Sequence, residues 1–185
     1  MTIPLVEQRR TARHRRALAY WAVLIGMYAS LFVGVSVAPP EWLHFSALFV
    51  HLGSVILGLG AAVVLEFHGL LWTARRRTLD ELRRTERAVS ALAWLGIVGL
   101  LTSGALLQPN LADPLTIIKM LAVLGVALNG VGMTRLTAEL ARLPPRMRFS
   151  SLPRSMQLWC IWSAVISQAG WWTAVLVGML NTATH

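Results

Sequence analysis

The sequence predicts an all-α membrane protein, a bundle of five transmembrane helices with a cytoplasmic amino terminus and an external carboxy terminus. The 185 residues are 56% hydrophobic and only 14% charged. Their mean hydropathy is +0.60. Soluble domains of this length are usually less apolar. The two other observations are five long apolar stretches and the clustering of arginine between them.

Each apolar stretch reaches the roughly 20 residues that an α-helix needs to cross the hydrocarbon core. The five predicted helices span about 17–38, 43–72, 88–107, 115–136 and 157–180. Proline-containing segments separate several of them, namely "APPEW", "QPNLADP" and "LPPRMRFSSLPR", since proline cannot continue a helix. This division leaves a basic cytoplasmic tail over 1–16 and a short outer tail over 181–185.

The arginines predict the orientation. They lie in three blocks, 9–16, 75–87 and 135–154, and the other two loops contain none. Because cytoplasmic loops of membrane proteins are rich in arginine and lysine, all three blocks are predicted to be cytoplasmic. The net charge of +9 therefore reflects topology, and no nucleic-acid partner is expected. We expect a multi-pass protein of the plasma membrane, with the lipid bilayer as its partner.

The basic loop "TLDELRRTER" has acids and arginines at helical spacing. This pattern predicts that the second or third helix extends beyond the membrane, with an ion pair between Asp80 and Arg84. The tryptophans lie mostly toward helix ends, where we expect them to act as interfacial anchors. Seven of the eight are assigned this role, namely Trp42, Trp72, Trp94, Trp159, Trp162, Trp171 and Trp172.

The second helix carries three of the five histidines and an acid. His44 and His51 differ by seven positions, so they share a helix face about 10.5 Å apart along the axis. One metal ion cannot be bound by both without distortion. Either histidine could ligate a haem iron or form part of a separate metal site. Glu66 and His68 lie nearer the cytoplasmic end, where Glu66 could pair with Arg75–Arg77 or join a proton relay.

Lys119 is the only lysine, and it lies about one turn into the fourth helix. A charged group within a span usually faces the bundle interior, although near a helix end it can instead snorkel outward. Facing inward, it could hold a carboxylate such as a haem propionate.

The single cysteine, Cys160, excludes an internal disulfide and a CxxC metal site. No GxSxG, HExxH or Walker motif is present.

Glycines recur in the second, third and fourth helices. They serve either close helix packing or room for a flat cofactor. The relevant residues are Gly53, Gly58, Gly60, Gly96, Gly99, Gly104, Gly125, Gly130 and Gly132.

The stretch "ERAVSALAWLGIVGLLTSGALLQPNLADPLTIIKMLAVLGVAL" follows a histidine-bearing helix and a basic loop. This order resembles the membrane domain of the copper-resistance protein D-like family and of the related HemJ-type protoporphyrinogen oxidases, over about residues 43–133. The resemblance implies a haem b site. In it, His44 or His51 corresponds to the haem-associated histidine, Lys119 to the family's lysine, and Ser103–Gly104 to its Ser-Gly pair.

Three functions remain open from the sequence. The first is a haem b- or metal-binding protein, with copper as the alternative cofactor, whose outer-half site has a redox or copper-handling role as in a haem-dependent oxidoreductase. The second is a non-enzymatic accessory subunit of a larger membrane complex or homo-oligomer. The third is a proton or ion pathway that uses His51, Glu66 and His68 as relay groups.

Overall fold

A computed structural model describes residues 5–183 of the chain, and over these residues it contains helices but no strand. Five of the helices are long and apolar enough to cross a membrane. They are α1 (Leu5–Ser36), α2 (Glu41–Thr73), α3 (Leu79–Leu106), α4 (Pro114–Leu140) and α5 (Arg154–Ala183). The predicted five-helix, multi-pass bundle is confirmed.

Several helix boundaries differ from the sequence prediction. Residues 5–16 of the predicted tail belong to α1. The first four residues, and the last two of the predicted outer tail, lie outside the described part of the chain. We call the end of the bundle that carries the α2–α3 and α4–α5 connections the basic end. The opposite end, predicted to be external, is the distal end.

The basic loop extends α3, as its charge pattern indicated. The side chain of Thr78 accepts a hydrogen bond from the backbone N–H of Glu81, and the Glu81 carboxylate accepts one from the Thr78 N–H at 2.8 Å. This reciprocal capping box satisfies two helix-end donors. One turn further, Arg84 donates to Asp80 at 2.9 Å, as predicted. The helix therefore begins nine residues before the apolar stretch does.

The helices associate as two hairpins. α2 packs along α3, and α4 packs along α5, over most of their lengths. The helix α1 lies against both α3 and α4 and covers the seam between them, whereas α2 and α5 meet over a smaller area. One side of the space between the hairpins is therefore covered by a helix, and the other side faces the surroundings of the bundle.

Glycine residues, which have no side chain, let α2 and α3 approach closely. A Cβ atom added at Gly96 would lie 2.6 Å from the backbone of Gly58, and one at Gly99 would lie 2.1 Å from the Ser54 hydroxyl oxygen. Small residues allow this backbone contact in lipid, where close packing drives helix association. At these positions the glycines serve packing.

A cluster of buried apolar side chains closes the basic end of the bundle. It consists of Trp72, Leu79, Leu136, Leu140 and Leu152. The α4–α5 connection takes part, because the Trp72 indole N–H donates to the Met147 carbonyl at 2.9 Å. The guanidinium of Arg83 donates to the carbonyls of Leu140 and Leu143. These bonds satisfy the carbonyl of the last residue of α4 and one carbonyl in the connection that follows it.

Replacing Gly96 with alanine should destabilise the bundle, because its Cβ would meet Gly58 backbone that cannot move independently. We expect a loss of about 1–3 kcal/mol, measured as a lower unfolding temperature of the purified protein in detergent. Gly60→Ala is the matched control, since nothing lies within 4 Å of a Cβ added there. Equal stability of the two variants would contradict the proposed close packing.

Candidate functional site

All five helices line a small cavity in the distal half, which we call the distal cavity. Its lining includes Ser30 from α1, His51 from α2, Gly104 from α3, Lys119 from α4 and Trp171 from α5. Its volume is about 40 Å³. Since one water needs roughly 10–15 Å³ of such space, the cavity has room for very few water molecules.

A hydrogen bond fixes the His51 ring at this cavity. Its Nδ1 lies 3.0 Å from the Ser103 hydroxyl oxygen, and the Ser103 hydroxyl donates to the Gly99 carbonyl. Because that hydroxyl proton is already used, the Ser103 oxygen accepts from His51, and we assign the proton of neutral His51 to Nδ1. Gly104 lies against the ring, with the position of an added Cβ 3.6 Å from His51 Cε1.

The structure brings together most of the outer-site residues predicted from the sequence. His51, Gly104 and Lys119 line the distal cavity, and Ser103 bonds to His51. Lys119 is half-buried and lines this cavity, which agrees with the inward-facing of its two predicted orientations. His44 is exposed and does not line it, so the structure does not bring His44 and His51 together at one site.

The distal cavity does not fit a haem. Small-molecule pockets occupy about 300–1,000 Å³, far above the 40 Å³ beside His51. Over the described residues, no group of three or more histidine, cysteine, aspartate or glutamate side chains could hold a metal ion.

A second and larger cavity lies between the two hairpins in the basic half. This inner cavity has a volume of about 350 Å³ and a mostly apolar lining from α2, α3, α4 and α5. Two carboxylates, Glu66 and Glu86, are among its lining residues. Glu66 stands seven residues before the end of α2, about 10 Å along the axis. The cavity thus places an acid well inside the bundle.

The side chains near Glu66 on α5 are neutral. The half-buried carboxylate lies near the side chains of Ser167 and Gln168. Among the described residues, the ion pairs are Arg77–Glu81, Arg84–Asp80 and Arg135–Glu139. The pairing of Glu66 with Arg75–Arg77 that the sequence allowed is therefore not formed. His68 bonds to the Val64 carbonyl of its own helix at 2.9 Å and lines neither cavity.

The wall of the inner cavity contains a reciprocal hydrogen-bonded pair between α4 and α5. The Asn129 amide donates to the Ser163 carbonyl, and the Ser163 hydroxyl donates to the Asn129 side-chain oxygen, both at 2.9 Å. These bonds satisfy polar groups inside the span and fix the spacing of the hairpin.

Trp171 separates the two cavities. Its side chain is 3% exposed, and of the described residues it alone lines both spaces. The ring lies against α2 at Gly58, where an added Cβ would be 2.1 Å from the indole Cη2. The space beside Gly58 is thus filled by an indole and not by a cofactor.

The prediction that the tryptophans are interfacial anchors is wrong for Trp171 and Trp72, which are buried. Trp72 reaches the apolar cluster at the basic end, and Trp171 inserts between α2 and α5. Gly58 marks a position on α2 where a large side chain from another helix can pack. The sequence does not show that Trp171 is this side chain, because the register of α2 against α5 must be known first.

Comparisons with protein families, characterised proteins and solved structures found no match to this chain. The resemblance to copper-resistance D-like and HemJ-type proteins stays a prediction, and so do haem b and copper. The geometry of the two cavities is the remaining guide to function.

The Asn129–Ser163 pair should show energetic coupling. In a double-mutant cycle with Asn129→Ala and Ser163→Ala, we expect a coupling energy of about 0.6 kcal/mol, and at most about 1.7 kcal/mol, as for other hydrogen bonds between membrane helices. Reversible unfolding in mixed micelles measures it. Strictly additive effects of the two substitutions would show that the pair does not stabilise the α4–α5 hairpin.

Proposed function

We propose that the protein conducts protons across the membrane, with His51 as the distal proton-binding group and Glu66 as the inner one. The observation that supports this most directly is the place of Trp171, which separates a distal cavity that contains a histidine from an inner cavity that contains glutamates. Proton-binding groups on the two sides of one apolar side chain are the arrangement that a gated pathway requires.

The chemistry of the two groups suits this role. Histidine and carboxylate side chains within membrane spans are typical of proton relays. The bond from Nδ1 to Ser103 leaves Nε2 of neutral His51 as its proton acceptor. Serine and glutamine side chains can both donate to and accept from a carboxyl group, so Ser167 and Gln168 can bind both the charged and the neutral form of Glu66.

The apolar layer around Trp171 keeps the route closed in this structure. Ile97 and Val126 line the inner side of this layer, and Leu100 and Val123 line the distal side. Proton transfer between the cavities then requires displacement of the indole, which would let water join the two spaces. His68, which the sequence offered as a third relay group, has no part in this proposal because it lines neither cavity.

Proton flux into liposomes containing the purified protein tests the proposal. With a potassium diffusion potential imposed by valinomycin and a pH-sensitive dye inside, we expect the native protein to conduct. Replacement of the proton-binding groups, as in His51→Gln and Glu66→Gln, should reduce the flux at least about tenfold. His68→Ala is the matched control and should conduct normally. Flux that survives in both the His51 and Glu66 variants would refute the proposal.

Removal of the separating side chain should have the opposite effect. Trp171→Ala would join the two cavities, so we expect a higher proton flux in the same assay. Trp162→Ala is the control, because this indole of the same helix is 62% exposed and lines neither cavity. A Trp171→Ala protein that folds, as judged by a single symmetrical gel-filtration peak, yet conducts no faster than the native protein would exclude Trp171 as the gate.

A further inference from the structure

We infer that the inner cavity binds a lipophilic organic cation, which enters from the bilayer between α2 and α5 and is held by the carboxylate of Glu66. The inference extends the proposed function, because it rests on Glu66 as an exchangeable proton site and names a second occupant for it.

The opening of the inner cavity points to a ligand that arrives through lipid. Leu70 of α2 and Ile161 of α5 both line the cavity although they are 66% and 50% exposed. They therefore mark one place where the cavity reaches the outer surface of the bundle, and the exposed Thr73 and Thr134 are also among its lining residues. On the opposite side α1 covers the α3–α4 seam. At the basic end, Trp72, Leu79 and Leu140 belong both to the cavity lining and to the closing apolar cluster.

The charges of the cavity favour a cation. Glu66 has no cationic partner within ion-pair distance among the described residues. A carboxylate removed from water needs either a proton or a compensating positive charge. Glu86 adds a second acidic group, although Arg87 lies near enough to offset part of its charge. Arg83 also lines the cavity, where its guanidinium donates to two main-chain carbonyls at the basic end, so the charged lining residues are two acids and one base. Glu66 is therefore the acid best placed to bind an incoming cation.

The walls of the cavity suit an organic cation better than a hydrated metal ion. The rings of Trp72, Trp94, Trp171 and Phe149 contribute to the lining. Aromatic faces attract organic cations through their π-systems, most strongly where water is excluded. The volume of about 350 Å³ falls within the range of small-molecule pockets, roughly 300–1,000 Å³. An apolar cavity that opens to lipid and contains aromatic rings and an unpaired acid matches a cation that partitions into membranes.

A proton and an organic cation would compete for the same carboxylate. Binding of either one lowers the affinity for the other by the same factor, because coupling between two ligands is reciprocal. The affinity for the organic cation should therefore rise with pH as Glu66 loses its proton.

Equilibrium binding of tetraphenylphosphonium to the detergent-solubilised protein tests the inference. Tetraphenylborate has the same shape and the opposite charge, and it separates electrostatic recognition from simple apolar partitioning. We expect the phosphonium to bind saturably and at least about tenfold more tightly than the borate. Equal affinity for the two probes would overturn the inference.

Two variants tie binding to this cavity. Glu66→Gln should weaken phosphonium binding at least tenfold, whereas Glu139→Gln, which alters an acid paired with Arg135 outside the cavity, should not. Gly69→Phe should block binding by filling the space, because Gly69 lines the cavity and nothing lies within 4 Å of its added Cβ. Gly60→Phe is its control, since Gly60 is exposed and lies outside the cavity lining. Unchanged binding in both cavity variants would refute the site.

The binding and flux experiments fail independently. Proton flux that depends on Glu66, without selective phosphonium binding, would refute the ligand and leave the proton pathway standing. Selective phosphonium binding without proton flux would refute the pathway and leave the cation site standing.

Discussion

The contact between the Trp171 indole and Gly58 determines how the two halves of the bundle fit together. The hairpins α2–α3 and α4–α5 are each packed along their length, but α2 and α5 touch much less. A large ring on α5 can reach α2 at mid-bundle only because residue 58 has no side chain. The indole therefore fixes the distance between the hairpins at one level and leaves space above and below it.

The same contact links packing to the chemistry of the two cavities. Gly58 also meets α3, since Gly96 lies against its backbone. One residue thus serves the tight α2–α3 interface and the indole from α5. The polar groups follow from this arrangement: His51 lies distal to the layer, and Glu66 lies on its basic side. A change at Gly58 would alter helix packing and the separation of the cavities together.

Apolar length and charge distribution were sufficient to predict five helices, because both depend on composition along the chain. The start of α3 was harder to predict, because hydropathy does not detect the capping box between Thr78 and Glu81. His51, Ser103, Gly104 and Lys119 were named as site residues and do come together. His44 shares a helix face with His51 yet remains exposed. Other helices pack against this face of α2 at the level of His51, but they do not bury it at the level of His44. The inner cavity was not predicted, as its lining combines four helices whose relative register no single-helix pattern contains.

The position of α1 makes the bundle unequal on its two flanks. It shields the seam between α3 and α4, while no described helix covers the seam between α2 and α5 in the same way. Molecules in the plane of the bilayer therefore meet two different surfaces. A sterol, a bulky acyl chain or an adjacent protein resting on the α2–α5 flank would hinder traffic into the interior. The same neighbour resting on α1 would have no such effect, so the composition of the surrounding membrane could tune the protein from one direction only.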